Sequence, residues 1–175
     1  MSKTDGIRNS RRPAKALDRL DRKILGELVR NAGQSYAEIG KSVGLSAPAT
    51  HERVRKLRAN GIIRGTSAQI DGKKIGKPLL VFVHVNTQSW GHSEAFDSLA
   101  QLPELEEMHS VAGATSMILK MRVEHSDALE ALLRQINGFA SVVSTHTFVT
   151  LSTYLERSVQ AQITTDWPDP PRPLE

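Results

Sequence analysis

The stretch from Ser35 to Ser46, SYAEIGKSVGLS, constrains the fold more than any other. Ser35 followed three residues later by Glu38 has the form of a capping box, so a helix is predicted to begin at about Ser35. Gly44 fits the left-handed residue that ends a helix, and only Leu45 separates it from Ser46, a good N-cap for another helix. Two short helices that meet at so tight a turn are typical of a helix-turn-helix.

The segments on either side complete a three-helix unit. LDRLDRKILGELVRN, residues 17–31, spaces its leucines and isoleucine by three and four and predicts the first helix. The third helix, residues 46–61, carries Thr50, Val54 and Leu57 on one side, while its opposite side begins with small residues and continues with cations. An αα-corner of a helical bundle is the alternative, although a bundle rarely needs such a basic face.

The charge of the chain divides sharply after Lys77. Residues 1–77 hold 18 Lys and Arg against 7 Asp and Glu, a net charge of +11, whereas residues 78–175 hold 5 against 12, a net charge of −7. This asymmetry favours an N-terminal module that binds a polyanion, joined to a C-terminal module with a different function. The alternative is that the basic face is simply solvated. The arm of residues 1–16 is also basic and either tracks DNA or is an inert tail.

Several classes of protein are disfavoured by what the chain lacks. The sequence has no cysteine, no apolar run long enough to span a membrane and no signal peptide at its start, so we expect a soluble intracellular protein. Its six histidines show no paired ligand spacing, and there is no GxSxG, P-loop or GxGxxG. We therefore expect no enzyme activity, no cofactor and no metal.

Two short runs after the third helix, Ile62–Arg64 and Ser67–Ile70, surround Gly65-Thr66 and predict a small hairpin. Such a hairpin would make the unit a winged helix-turn-helix, with Arg64 as a phosphate contact. The following GKKIGK, residues 72–77, is interpreted as a hinge between two domains.

From Pro78 the hydrophobic period changes. It predicts strands over 79–86, 105–113, 116–123 and 142–155 and helices over 93–102 and 126–136. The order β-α-β-β-α-β is the ferredoxin-like plan, in which both helices cover one face of an antiparallel sheet. Leu80, Phe82 and Phe148 lie in strands that are apolar on both faces, so we predict that the uncovered face packs against a second subunit.

The four-residue turn GATS, Gly113 to Ser116, lies between two apolar runs, which are the second and third predicted strands. Glycine there suits a hairpin turn and equally suits the close approach of a ligand. The residue types leave both interpretations open.

The chain resembles the Lrp/AsnC, or feast/famine, transcription regulators over about Leu17 to Glu156. The resemblance is carried by LDRLDRKIL, by GLS followed by HERVRKLRANGII, and by LEEMHSVAG, MILKMRV and STHTFVTLSTYLER. It implies a DNA-binding winged helix joined by a hinge to a ligand-sensing domain. Predicted positions at or near DNA are Tyr36, Ser46, Ala47, Pro48, His51, Glu52, Arg53, Arg55, Lys56, Arg58 and Arg64.

The resemblance also implies dimers formed through the sheets, commonly four dimers in a ring, and an amino acid or related metabolite bound between dimers. By position, Gly113, Ala114, Thr115 and Ser116 would border that effector site. Many family members carry a Gly-Asp-x-Asp type of turn there, and both acidic positions are neutral in this chain.

The prediction is thus an α+β protein with a basic arm (1–16), a winged helix-turn-helix domain (17–70), a hinge (71–77), a ligand-sensing and oligomerisation domain (78–157) and a Pro-rich tail (158–175). It is expected to be a cytoplasmic transcriptional regulator that binds double-stranded DNA and a small-molecule effector. An effector-independent architectural DNA binder is one alternative. A siroheme-decarboxylase-like enzyme on the same two-domain plan is the other.

Overall fold

The computed structural model describes residues 17–88 and 94–161, with only the backbone of residues 94–96. The predicted arm of residues 1–16, the start of the helix predicted from residue 93, and the tail from residue 162 lie outside this range. Among the described residues the chain divides into two compact units, one of residues 17–67 and 157–161 and the other Ala68–Glu156. No described helix is long and apolar enough to cross a membrane.

The first unit contains three helices, α1 (Arg19–Arg30), α2 (Tyr36–Val43) and α3 (Ala47–Ala59). The predicted capping box is present, because the Glu38 N–H donates to the Ser35 hydroxyl and the Ser35 N–H donates to the Glu38 carboxylate. Gly44 ends α2 with φ 79°, in the left-handed region. These local signals set the sharp turn between α2 and α3.

The helices enclose a small core of Ile24, Ile39, Val43, Val54 and Leu57. Between α2 and α3 the backbones come very close. A Cβ added at Gly40 would lie 2.6 Å from the carbonyl oxygen of Leu45 and 2.9 Å from the hydroxyl of Thr50. Only a glycine permits this approach.

The predicted hairpin wing is wrong. Residues 61–78 contain no strand, and the amides of Ile62 and Ile63 both donate to the carbonyl of Leu57, at 2.9 and 3.2 Å. The first run therefore closes the end of α3 and packs on the core, while Ile70 in the second run is 68% exposed. Runs of three or four residues without a third strand bury too little apolar surface to hold a hairpin.

The second unit has the predicted β-α-β-β-α-β order. Its elements are β1 (Leu79–Thr87), α4 (Glu94–Leu99), β2 (Leu105–Ser110), β3 (Met117–Val123), α5 (Ser126–Asn137) and β4 (Val142–Val149). The strands form one antiparallel sheet in the order β2-β3-β1-β4. This order confirms the ferredoxin-like plan.

Alternate residues of the central strands divide between the two faces of the sheet. Val81, Val83 and Val85 of β1 are buried with Leu129 and Leu132 of α5 in one core. The other set forms what we call the open face, which comprises Leu80, Phe82, His84, His109, Ile118, Lys120, Arg122, His146 and Phe148, of which Leu80 is buried. Phe148 remains 51% exposed, in agreement with the prediction that this face is partly apolar.

The last strand is shorter than predicted. It ends at Val149, and the Thr150 N–H makes a final bond to the carbonyl of Leu80. Strand β1 begins at Leu79, directly after Pro78, so the chain beyond Thr150 has no further ladder partner. Leu151 and Tyr154 are consequently almost fully exposed.

Candidate nucleic-acid interface and ligand turn

Helix α3 has a buried side and a basic outer side. Thr50, Val54 and Leu57 are buried, and the Thr50 hydroxyl is satisfied by the carbonyl of Ser46 at 3.0 Å. Arg55 and Lys56 on the opposite side are exposed. This is the arrangement that a helix needs if it is to enter a major groove with cations directed toward the phosphates.

Arg55 and Lys56 share one carboxylate on the same helix. Two nitrogens of Arg55 lie 2.8 Å from the two carboxylate oxygens of Glu52, and the Lys56 ammonium lies 3.5 Å from one of them. The hydrogen bonds from Arg55 lower the pKa of Glu52 to about 2. Phosphates would therefore have to compete with an ionised intrahelical carboxylate for both cations.

Arg53 faces a different partner. Its guanidinium lies 2.6 Å from the carboxylate of Asp18 and 2.7 Å from that of Asp21, at the N-terminal end of α1. Asp18 is the N-cap of α1, and the Asp21 N–H together with Arg53 lowers the pKa of its carboxyl group. Although the sequence placed Arg53 among the DNA contacts, in this structure it joins α3 to the start of α1.

The first turn of α3 exposes small groups. Pro48 is exposed, Ala47 is half-buried, and the Ser46 hydroxyl accepts from the Ala49 N–H at 3.4 Å. The ring of His51 lies 4.9 Å from the ring of Tyr36 at the start of α2. The start of α2 therefore contacts α3 at two of the predicted positions.

Two further predicted cations lie near and beyond the C-terminal end of α3. Arg58 is exposed near the end of α3, and Arg64 is exposed in the extended chain that follows it. Because the wing is absent, Arg64 has no hairpin to orient it.

The GATS turn is fastened to the sheet by its own hydroxyls. The single proton of the Thr115 hydroxyl is shared between the carbonyls of Val85 and Met117, at 3.0 and 3.2 Å, and the Ser116 hydroxyl accepts from the Thr87 N–H at 3.2 Å. Gly113 adopts φ 150°, and a Cβ there would meet open space. The turn is therefore a structural hairpin whose exposed part is Gly113 and Ala114.

Sequence reasoning missed a charged cluster on the second unit. Lys120 pairs with Glu106, Glu107 and Glu156, and Arg122 pairs with Glu106 and Glu156. The available signal was the alternation of Lys120 and Arg122 on the open face of β3, opposite the acidic pair on β2. Among the described residues, no group of three or more metal-ligating side chains could hold an ion.

Comparison with known proteins agrees with this architecture. The AsnC-type helix-turn-helix domain matches residues 17–58, and the Lrp/AsnC ligand binding domain matches residues 80–160. The HTH-type transcriptional regulator FL11 of Pyrococcus horikoshii is 35% identical over 140 residues, covering 80% of this chain and 93% of that protein. The leucine-responsive regulatory protein of Escherichia coli is 35% identical over 150 residues, covering 83% of this chain and 91% of that protein.

Solved structures are similar over the same range. AsnC of E. coli superposes with a TM-score of 0.75 at 30% identity, covering 83% of this chain and 99% of that chain. A feast or famine regulatory protein from M. tuberculosis complexed with L-methionine gives 0.75 at 34% identity, covering 81% and 96%.

A helix-turn-helix with a basic outer face, followed by a separate ferredoxin-like domain of the ligand-binding type, defines a DNA-binding transcriptional regulator. The chain belongs to the Lrp/AsnC family of these regulators.

Proposed function

We propose that the chain binds double-stranded DNA through the outer face of α3. One observation carries this proposal: the two sides of α3 differ in burial and charge. Thr50, Val54 and Leu57 are buried on one side, and the cations Arg55 and Lys56 are exposed on the other. In this assignment Arg55, Lys56, Arg58 and Arg64 contact phosphates. The small first turn, with His51 and Glu52, approaches the base edges, and Tyr36 adjoins it from α2.

Selection of DNA by the full chain from a random duplex library tests the proposal. We expect enrichment of one motif with pseudo-twofold symmetry, because two copies of α3 read two half-sites. A library that shows no enrichment over many rounds, with binding that depends on salt alone, contradicts sequence-specific regulation and favours an architectural binder.

We also propose a homodimer formed through the open face. Phe82 and Phe148 are cross-strand neighbours there, and the His84 ring lies 4.8 Å from the Phe148 ring. An aromatic patch of this kind on an uncovered sheet gains stability when a second copy covers it. Further assembly into a tetramer of dimers is part of the same proposal, and sedimentation of the full chain measures both steps.

For the effector we propose an amino acid or related metabolite that approaches the GATS turn at Gly113 and Ala114. The ligand-binding domain match supports a ligand, and the relative from M. tuberculosis is complexed with L-methionine. The Ser116 hydroxyl accepts from the Thr87 N–H and the Thr115 hydroxyl is directed at backbone carbonyls, so the exposed groups of the turn are those of Gly113 and Ala114. Charged recognition of an ammonium group would then have to come from elsewhere in the assembly.

Thermal unfolding of the full chain with each amino acid tests this site. A ligand at 100 times its dissociation constant adds about 2.7 kcal/mol of stability. Ala114→Asp restores an exposed carboxylate without disturbing the two hydroxyls, and we expect it to strengthen binding of a free amino acid. Backbone amide shifts that avoid residues 113–116 altogether would contradict the placement.

A second candidate function is an effector-independent architectural binder. It is favoured by the hydrogen bonds that join Thr115 and Ser116 to β1, which fix the turn to the sheet without a ligand. DNA affinity that is unchanged by every amino acid would support it. In either case we propose a non-enzymatic protein that acts in the cytoplasm.

A further inference from the structure

The chain passes between its two units twice. The first connection leads from Ser67 into Ala68, and the second leads from Glu156 into Arg157. We call residues 68–77 the linker and residues 150–156 the return segment. On the ferredoxin-like unit, one side chain of β3 meets both of them.

The linker packs against Arg122 at a glycine. Gly72 is buried, and a Cβ there would overlap the Cδ of Arg122 and lie 3.0 Å from its Nε. It would also lie 2.9 Å from the carbonyl oxygen of Lys77. The linker backbone therefore rests directly on the stem of Arg122, and any larger residue at position 72 has to move away from it.

The return segment is held by the same guanidinium. Nη2 of Arg122 lies 3.4 Å from one carboxylate oxygen of Glu156, and its Nε lies 2.5 Å from Glu106. Lys120 also binds Glu156, at 2.5 Å. The side chain of Arg122 is only 16% exposed, so these ion pairs are shielded better than an ordinary surface pair.

We propose that Arg122 is a positioning residue for DNA binding, since it fastens both connections to the sheet and so limits how the DNA-binding unit can move. This inference rests on the proposed function, because the positioning would affect how two α3 helices bind two half-sites at the same time. Firm connections discriminate between half-site spacings, whereas loose ones tolerate several spacings.

The test uses the full chain and the motif that it selects, with base pairs inserted one at a time between the half-sites. We expect wild type to lose affinity steeply away from the selected spacing. Arg122→Ala should bind the selected site nearly as well, but its preference over shifted sites should fall about tenfold. Gly72→Ala should do the same, because its Cβ overlaps the side chain of Arg122 and forces the linker and that side chain apart without removing a charge.

Arg134→Ala is the matched control. It removes the same charge and breaks an exposed ion pair with Glu130 on α5, which involves neither the linker nor the return segment. We expect it to keep the wild-type spacing preference. Amide exchange without DNA is the second readout, and Arg122→Ala should speed exchange in both the linker and the return segment.

The outcomes separate the two proposals. A wild-type chain that selects no DNA motif contradicts the proposed function, and amide exchange then decides on Arg122 alone. A wild-type spacing preference in Gly72→Ala, or equal broadening by Arg134→Ala, overturns the positioning role. If Arg122→Ala does not fold, Gly72→Ala decides the question.

Discussion

The guanidinium of Arg53 on α3 lies 2.6 Å from the carboxylate of Asp18, the N-cap of α1, and 2.7 Å from that of Asp21. Two residues further along α3, Arg55 instead pairs with Glu52 of its own helix. Two arginines in one basic run thus do different work. Arg53 joins α3 to the start of α1, while the ion pair of Arg55 stays within α3.

Arg53→Ala should therefore act on stability. The change removes two partly exposed ion pairs and one link between α1 and α3, so we expect the free energy of unfolding to fall by up to about 1 kcal/mol. Denaturant titration measures it. The slope of log affinity against log salt should be unchanged in DNA titrations, and a slope reduced by about one would instead make Arg53 a phosphate contact.

Arg55→Ala should act on DNA binding. Loss of one phosphate contact weakens binding to all sequences and lowers the salt slope by about one. Titrations of specific and random duplexes at two or more salt concentrations measure both effects. Arg134→Ala on α5, which breaks an exposed pair with Glu130, removes the same charge and should leave the slope alone.

The carboxyl of Glu52 should titrate abnormally. Its pKa of about 2 is depressed by the hydrogen bonds from Arg55, so the pair contributes stability above pH 4.5, and this contribution is lost as the pH falls from 4.5 toward 2. In an NMR titration of the side-chain carboxyl, Arg55→Ala should return the midpoint toward 4.5. An unchanged midpoint would mean that a group other than Arg55 lowers the pKa of Glu52.

Gly40→Ala should be among the costly single substitutions of the helix-turn-helix. The new methyl group meets the carbonyl of Leu45 and the hydroxyl of Thr50, and neither can move far, so we expect a loss of about 1–3 kcal/mol. Urea unfolding gives the value. Gly65→Ala, where a Cβ meets open space, is the control and should change stability by no more than about 0.5 kcal/mol.

Phe148→Glu should dissociate the proposed dimer. A charge on the open face removes an aromatic contact and would lose water in the interface, which should weaken association by about 2 kcal/mol or more. Sedimentation equilibrium measures it. Ala131→Glu adds the same charge at an exposed position of α5, so equal dissociation by both variants would exclude the open face as the specific interface.

Local chemistry in the sequence determined most of the architecture. The capping box at Ser35, the left-handed Gly44 and the N-cap Ser46 act within three or four residues, so they can be read directly and all three are present. The period of the second half predicted each strand and helix of the ferredoxin-like unit, because alternation and helical spacing are set by which face is buried.

The tertiary structure decided everything that depends on a partner distant in sequence. Ile62 and Ile63 are residue types typical of a strand, yet their amides donate to the carbonyl of Leu57. The last strand ends where β1 has no further residue to pair with it. In the same way, packing directed Arg53 to α1 and Arg122 to Gly72 and Glu156. The residue type determines which bonds a side chain can make, whereas only the folded chain determines which groups come close enough to make them.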